Sequence, residues 1–367
     1  MKAINFSKLG KFIVFSGLFT LCTNALSQET PEEDTPKFSI NGSVDAYFRT
    51  NFNGLNEDVY NPAEPSLLVA SPEAPATSFA NDPGFSFGMA NVILGYENDK
   101  VGFVADLVFG PRGEDAVFLS APSTNIVNQL YVYYKVNDAL KFTLGNWNTF
   151  LGYEVISPVG NFNYSTSYMF SYGPFSHTGL KADFSFDDNW TGMLAVMNPT
   201  DYTEYNPIGK YSFGGQLGYS NDGGSAYLNL LYGEQSLSDD ALFQVDLTTG
   251  WNLTDAFYLG LNTTYQTTDG TGFYGAALYP QVSLTDSFGL GLRAEYFKGL
   301  EDGAVIYDAN TSITAFTLTG NYTVGSLMIK PELRLDSVSD DFPAFLDNDL
   351  NPDSNLASFL VAAIYAF

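Results

Sequence analysis

The 367-residue chain carries 15 basic and 41 acidic residues, a formal charge of −26, yet 45% of it is hydrophobic and 16% aromatic. So acidic a chain lacks the basic footprint of a nucleic-acid binder. So apolar a chain can bury a core, which argues against disorder.

The N-terminus reads as an export signal. Lys2, Lys8 and Lys11 form a basic region, residues 12–22 (FIVFSGLFTLC) an apolar one, and Ala25-Leu26-Ser27 supplies small residues for cleavage before Gln28. The apolar run is too short to anchor the chain in a bilayer, and Leu21 stands where a lipid-modified Cys22 would want a small neighbour. Residues 1–27 are therefore expected to be removed, leaving 28–36 as a short periplasmic segment and 37–367 as the folded body. Cleavage removes three lysines and no acid, so 12 basic residues face 41 acidic ones and the balance becomes −29. It also removes the one cysteine, and with it any disulfide, thiolate nucleophile or Cys-ligated zinc.

After residue 27 no run approaches 18 apolar residues, so no transmembrane helix is expected. A closed β-barrel is the other structure that crosses a bilayer, because closure pairs every backbone group. Strands are expected to begin near Lys37, Gly84, Val101, Asn125, Leu140, Ser176, Trp190, Lys210, Ser225, Ala241, Ala256, Phe273, Phe288, Thr311, Ser326 and Leu356. Sixteen result, with a merged or split strand shifting the count to fourteen or eighteen. Short turns such as ENDK at Glu97, NDGG at Asn221 and LTDS at Leu284 follow the even-numbered strands. Longer connections follow the odd ones, at about 50–78, 110–124, 148–175, 199–209, 234–240, 267–272, 299–310 and 337–355. The predicted fold is all-β: a transmembrane, antiparallel, up-and-down barrel with periplasmic turns and longer outer loops.

Facing follows from parity. In FGLGLRAEYFK, Phe288, Leu290, Leu292, Ala294 and Tyr296 oppose Arg293 and Glu295; in SLMIKPELRLD, Leu327, Ile329, Leu333 and Leu335 oppose Lys330, Glu332, Arg334 and Asp336; in SHTGLKADFSFD, Leu180, Ala182, Phe184 and Phe186 oppose His177, Lys181 and Asp183. Aromatics at the strand ends, among them Tyr96, Phe103, Trp190 and Tyr219 by the turns and Phe48, Phe109, Tyr232 and Tyr296 by the loops, match two interfacial girdles. The wall of the expected channel then takes Arg49, Lys135, Lys141, Lys181, Lys210, Arg293, Lys330 and Arg334 against Asp45, Asp106, Asp183, Asp246, Glu295, Glu332 and Asp336. That wall is nearly balanced, so only a weak cation preference from the acidic outer mouth is expected. The connection 148–175, rich in Tyr, Asn and Ser and carrying Glu154, is the candidate for a constriction folded into the lumen.

Residues 145–184, GNWNTFLGYEVISPVGNFNYSTSYMFSYGPFSHTGLKADF, resemble the OmpL-like β-barrel porins of Bacteroidota, the beta-barrel porin-2 type. The matching features are Gly152-Tyr153-Glu154, Asn161 to Ser165, and the Gly173-Pro174-Phe175 run that continues through His177 to Gly179. The resemblance implies an outer-membrane porin and carries no catalytic residue. The chain ends on FLVAAIYAF, whose Phe359, Val361, Ala363, Tyr365 and Phe367 share one face. As a closing strand it would present that face to lipid, and it resembles the terminal signature read by barrel-assembly machinery.

Sixteen strands leave an aqueous channel where eight would be filled. The expected function is passive diffusion of small hydrophilic solutes and ions. A surface receptor or adhesin using the acidic loops is the alternative. Expected partners are outer-membrane lipid, those solutes and the assembly machinery, with homo-oligomerisation left open and no nucleic acid. No enzymatic role, cofactor or metal is expected: His177 is the one histidine, no nucleophile elbow is present, and the calcium-loop-like DNDLNPDSN at Asp347 has Pro352 where Gly is needed.

Overall fold

A computed structural model describes residues 37–238, 240–300, 305–339 and 342–367. The expected signal peptide and periplasmic segment lie outside these residues. Sixteen strands close into one antiparallel barrel: β1 Lys37–Asn51, β2 Gly84–Glu97, β3 Val101–Phe109, β4 Val127–Asn137, β5 Leu140–Asn148, β6 Ser176–Ser185, β7 Trp190–Met197, β8 Ser212–Asn221, β9 Gly224–Glu234, β10 Ala241–Asn252, β11 Phe257–Thr268, β12 Thr271–Thr285, β13 Phe288–Gly299, β14 Ser312–Val324, β15 Leu327–Val338 and β16 Asn355–Ala366. Each starts within two residues of its expected position. Two short helices, α1 Pro111–Ala116 and α2 Tyr168–Ser171, and two small hairpins lie in the loops.

Closure follows from the terminal strands. Ser43 pairs with Ala366 and the register runs to Asn51 with Ser358. Gly42 and Phe367 exchange two backbone hydrogen bonds of 3.0 Å. Every strand has two neighbours, so no backbone edge is left for lipid. Tyr365 and Phe367 point outward and exposed, while Leu360, Ala362 and Ile364 pack inward against Tyr47 and Tyr164. The same parity puts Arg293 and Glu295 of β13, and Lys330, Glu332, Arg334 and Asp336 of β15, inside. Leu333, Leu335 and Tyr296 lie outside, on an apolar belt suited to hydrocarbon. Aromatic pairs mark both rims of this belt: Trp190 with Tyr219 at 5.0 Å by the turns, Phe48 with Phe85 at 5.0 Å by the loops.

One connection differs from expectation. Residues 267–272 do not form the longer loop expected there: β11 runs on to Thr268, β12 starts at Thr271, and Asp269-Gly270 alone joins them. Both residues have positive φ, 47° and 83°. That is the geometry of a two-residue hairpin whose twist matches its strands. The strict alternation of short turn and long loop therefore fails at this one position.

The occluded lumen and its anchoring loop

Residues 149–175 leave the wall at β5 and return at β6. Their neck is closed by the Thr149 N–H donating to the Phe175 carbonyl at 2.8 Å and by Thr149 Oγ1 to His177 Nε2 at 2.9 Å. His177 is fully buried there, its ring tilted against that of Phe150 at 5.0 Å. From this neck the segment crosses the barrel interior to the opposite wall.

A buried irregular segment must satisfy its backbone groups one by one. Here the wall charges do so, matched by sign. Carboxylates take its N–H groups: Asp246 that of Gly152 at 3.0 Å, Glu332 those of Tyr164 and Ser165 at 2.5 and 3.1 Å, and Glu295 those of Tyr168 and Met169 at 3.0 and 2.8 Å. Cations take its carbonyls: Lys330 those of Pro158, at 2.8 Å, and Asn161, Arg334 that of Thr166 at 2.9 Å, and Arg293 that of Ser165 at 2.6 Å. The Arg293 guanidinium also meets Glu154 at 2.6 Å. Glu154 in turn accepts the Ser167 N–H at 2.7 Å, beside α2, whose N-cap is Ser167 itself.

Side chains complete the attachment. Tyr153 stacks on Tyr279 with ring centroids 4.1 Å apart and shares a 2.9 Å hydrogen bond with Tyr258. The Tyr164 hydroxyl donates to Asp45, and that of Tyr168 to Asp336 at 2.9 Å. Residues of this loop enter all four apolar clusters of the described interior: Leu151 beside Trp147 and Met193, Ile156 and Phe170 beside Phe79 and Met89, Tyr164 beside Tyr47, and Tyr168 and Met169 beside Phe273 and Phe297.

The remaining sequence-assigned residues take other places. Arg49 is buried and donates to the carbonyls of Glu73 and Asn81, fastening the first long loop. Asp106 accepts from Asn91, Asn128 and Gln129. Lys210 lies just before β8 and pairs with Glu234 at the loop end. Lys135 pairs with Glu97 near the turn rim, while Lys141 and Lys181 both approach Asp183. The near-balance expected for the wall does not carry over to the surface water reaches, because most of these charges are covered. Arg112 on α1 was missed. It donates to the carbonyls of Ile156 and Tyr164 at 2.8 and 3.1 Å and lies 4.4 Å over the Phe79 ring. It sits in a loop, where strand parity gives no facing signal.

Asp201 was missed as well. Its Oδ1 accepts the Phe175 and Ser176 N–H groups at 2.8 and 2.9 Å, holding the returning end of the crossing loop. Burial raises its carboxyl from 3.8 to about 6, against the lowering effect of those two N–H donors. The folded state then binds this proton more tightly than the unfolded chain. The associated stability is present below about pH 4 and lost as pH rises through 6. Asp201→Asn keeps an acceptor without the charge. Compared at pH 5 and pH 7, wild type should be destabilised at the higher pH by a margin that the variant lacks; equal margins in urea midpoints would contradict this.

The family model described as "Putative beta-barrel porin-2, OmpL-like" matches residues 37–367. No curated protein matches the chain. Among solved structures, the outer-membrane expressed OmpT of Vibrio cholerae is similar with a TM-score of 0.56 at 11% identity, covering 92% of this chain and 100% of that one. The in-vitro folded trimer form of the same protein gives a TM-score of 0.57 at 12% identity, covering 91% and 100%. At such identities these two share the fold. Matched along its whole folded body, the chain belongs to the OmpL-like beta-barrel porin-2 family and forms an outer-membrane porin-type barrel.

Proposed function

We propose that this barrel is a diffusion channel for small hydrophilic solutes and ions, narrowed by residues 149–175. The carrying observation is that this loop spans the lumen and is fixed to β10, β13 and β15 by sign-matched contacts and to β14 by the Asn163 amide donating to Thr319 Oγ1. Such an attachment holds a constriction at a set width, so the passage is small and size-selective. A non-catalytic role fits His177, whose ring is buried at the loop's neck and bonded to Thr149. The proposal includes export through residues 1–27, insertion by the assembly machinery, and a homo-oligomer like the OmpT trimer form.

A receptor reading is favoured by one feature. The hairpin Val59–Asn61 and Glu64–Ala70 in the first long loop exposes Tyr60, Leu67, Leu68 and Val69. Single-channel recording of the refolded protein in planar bilayers separates the two. Discrete current steps are expected for the channel, and a folded barrel without steps would leave the receptor.

A further inference from the structure

Most of the charges on the wall lie out of reach of water, and therefore of a solute. Arg293, Lys330 and Asp336 are 0% exposed, and Glu295, Glu332 and Arg334 nearly so, because residues 149–175 cover them. Asp106 and Asp246 are held by asparagines, and Arg49 by the first long loop. A different group stays partly exposed on the turn-side half of β4 to β6. The side chains of Lys135, Lys141 and Lys181 are 36%, 25% and 19% exposed, and that of Asp183 is 26% exposed.

We propose that these three lysines form a subsite for small carboxylated solutes in the turn-side vestibule. The reading rests on the channel function above and names the solute class it favours. Lys141 Nζ stands 3.3 Å from Asp183 Oδ2, and Lys181 Nζ stands 3.6 Å from Oδ1, so two ammonium groups share one carboxylate. Each ammonium carries three donors. Asp183 offsets one of the two charges, so one positive charge and the remaining donors are left for a second carboxylate. Lys135 joins from β4, its own partner Glu97 lying toward the rim.

The floor is aromatic. Lys135 and Lys141 lie 5.8 and 5.9 Å from the Tyr133 ring, and Lys181 lies 5.5 Å from that of Trp147. Tyr133 is set by its seat on Gly102, where a Cβ would stand 2.3 Å from the ring. A cationic rim over ring faces suits a solute with a carboxylate at one end and an apolar or ring face at the other. Trp147 is itself buried with Leu151 and Met193, so Tyr133 supplies the open ring face and the subsite faces the turn side.

The test uses the detergent-folded protein, with glucuronate and glucose as matched probes, read by calorimetric titration and by current in planar bilayers. Glucuronate should bind and reduce the current from the turn side, more weakly as salt rises, and glucose should do neither. Lys141→Gln with Lys181→Gln should weaken glucuronate binding about tenfold or more, through loss of two charge-assisted hydrogen bonds. Lys181→Arg alone should retain binding, as should Lys100→Gln in the adjacent turn. Glucuronate behaving as glucose does, or binding undiminished in the double variant, would overturn the subsite. Binding without conductance in any variant would remove the channel reading and leave the subsite standing.

Discussion

Glu154→Ala should be the most damaging single change in the lumen, costing about 3–5 kcal/mol, the usual penalty for leaving a buried charge without its partner. Arg293 has no exposed surface with which to recover the loss. The same carboxylate also accepts the Ser167 N–H, so the change orphans a second buried donor. Pairing it with Arg293→Met removes the stranded cation as well, and the double variant should be more stable than Glu154→Ala alone. Urea unfolding in lipid vesicles, followed by the gel shift between folded and unfolded barrel, reads all three. A single variant within about 1 kcal/mol of wild type, as for an exposed ion pair, would show that the loop is not anchored at Arg293.

Deleting residues 365–367 should abolish stable assembly while leaving export intact. The deletion takes away the pairings of Tyr365 with Val44 and Leu327 and of Ala366 with Ser43, and both bonds between Gly42 and Phe367. It therefore opens the seam between first and last strands at the turn end and leaves unpaired backbone groups facing hydrocarbon. Membrane fractionation with heat-modifiable gel migration measures this. Truncated protein should be found in the periplasm or degraded, and wild-type amounts in the outer membrane would contradict the closing role of β16.

The wall was legible in the sequence because its information is local. Period-two alternation marks each strand, and the turn residues mark where strands stop. The tight hairpin at Asp269-Gly270 was legible in principle, since Asp-Gly is a strong two-residue turn signal. The surrounding Thr and Gly residues read as loop, although the threonines are good strand formers. The path of residues 149–175 could not be read this way. Glu154 and Arg293 are 139 positions apart, and Lys330 reaches Asn161 across 169. Parity assigns Lys330 and Arg334 to the inner face. It contains nothing about whether a loop from β5 will lie across them.

That difference separates a bare sixteen-strand barrel from one crossed by its own loop. The direct measurement is single-channel conductance in planar bilayers for the full chain and for a variant in which residues 152–172 are replaced by a short Gly-Ser linker, both checked for folding by the gel shift. Expected are small steps from the full chain and several-fold larger steps from the shortened one, since sixteen strands without an occupant enclose a wide aqueous channel. Equal conductance from the two folded barrels would contradict the occluding role of the loop.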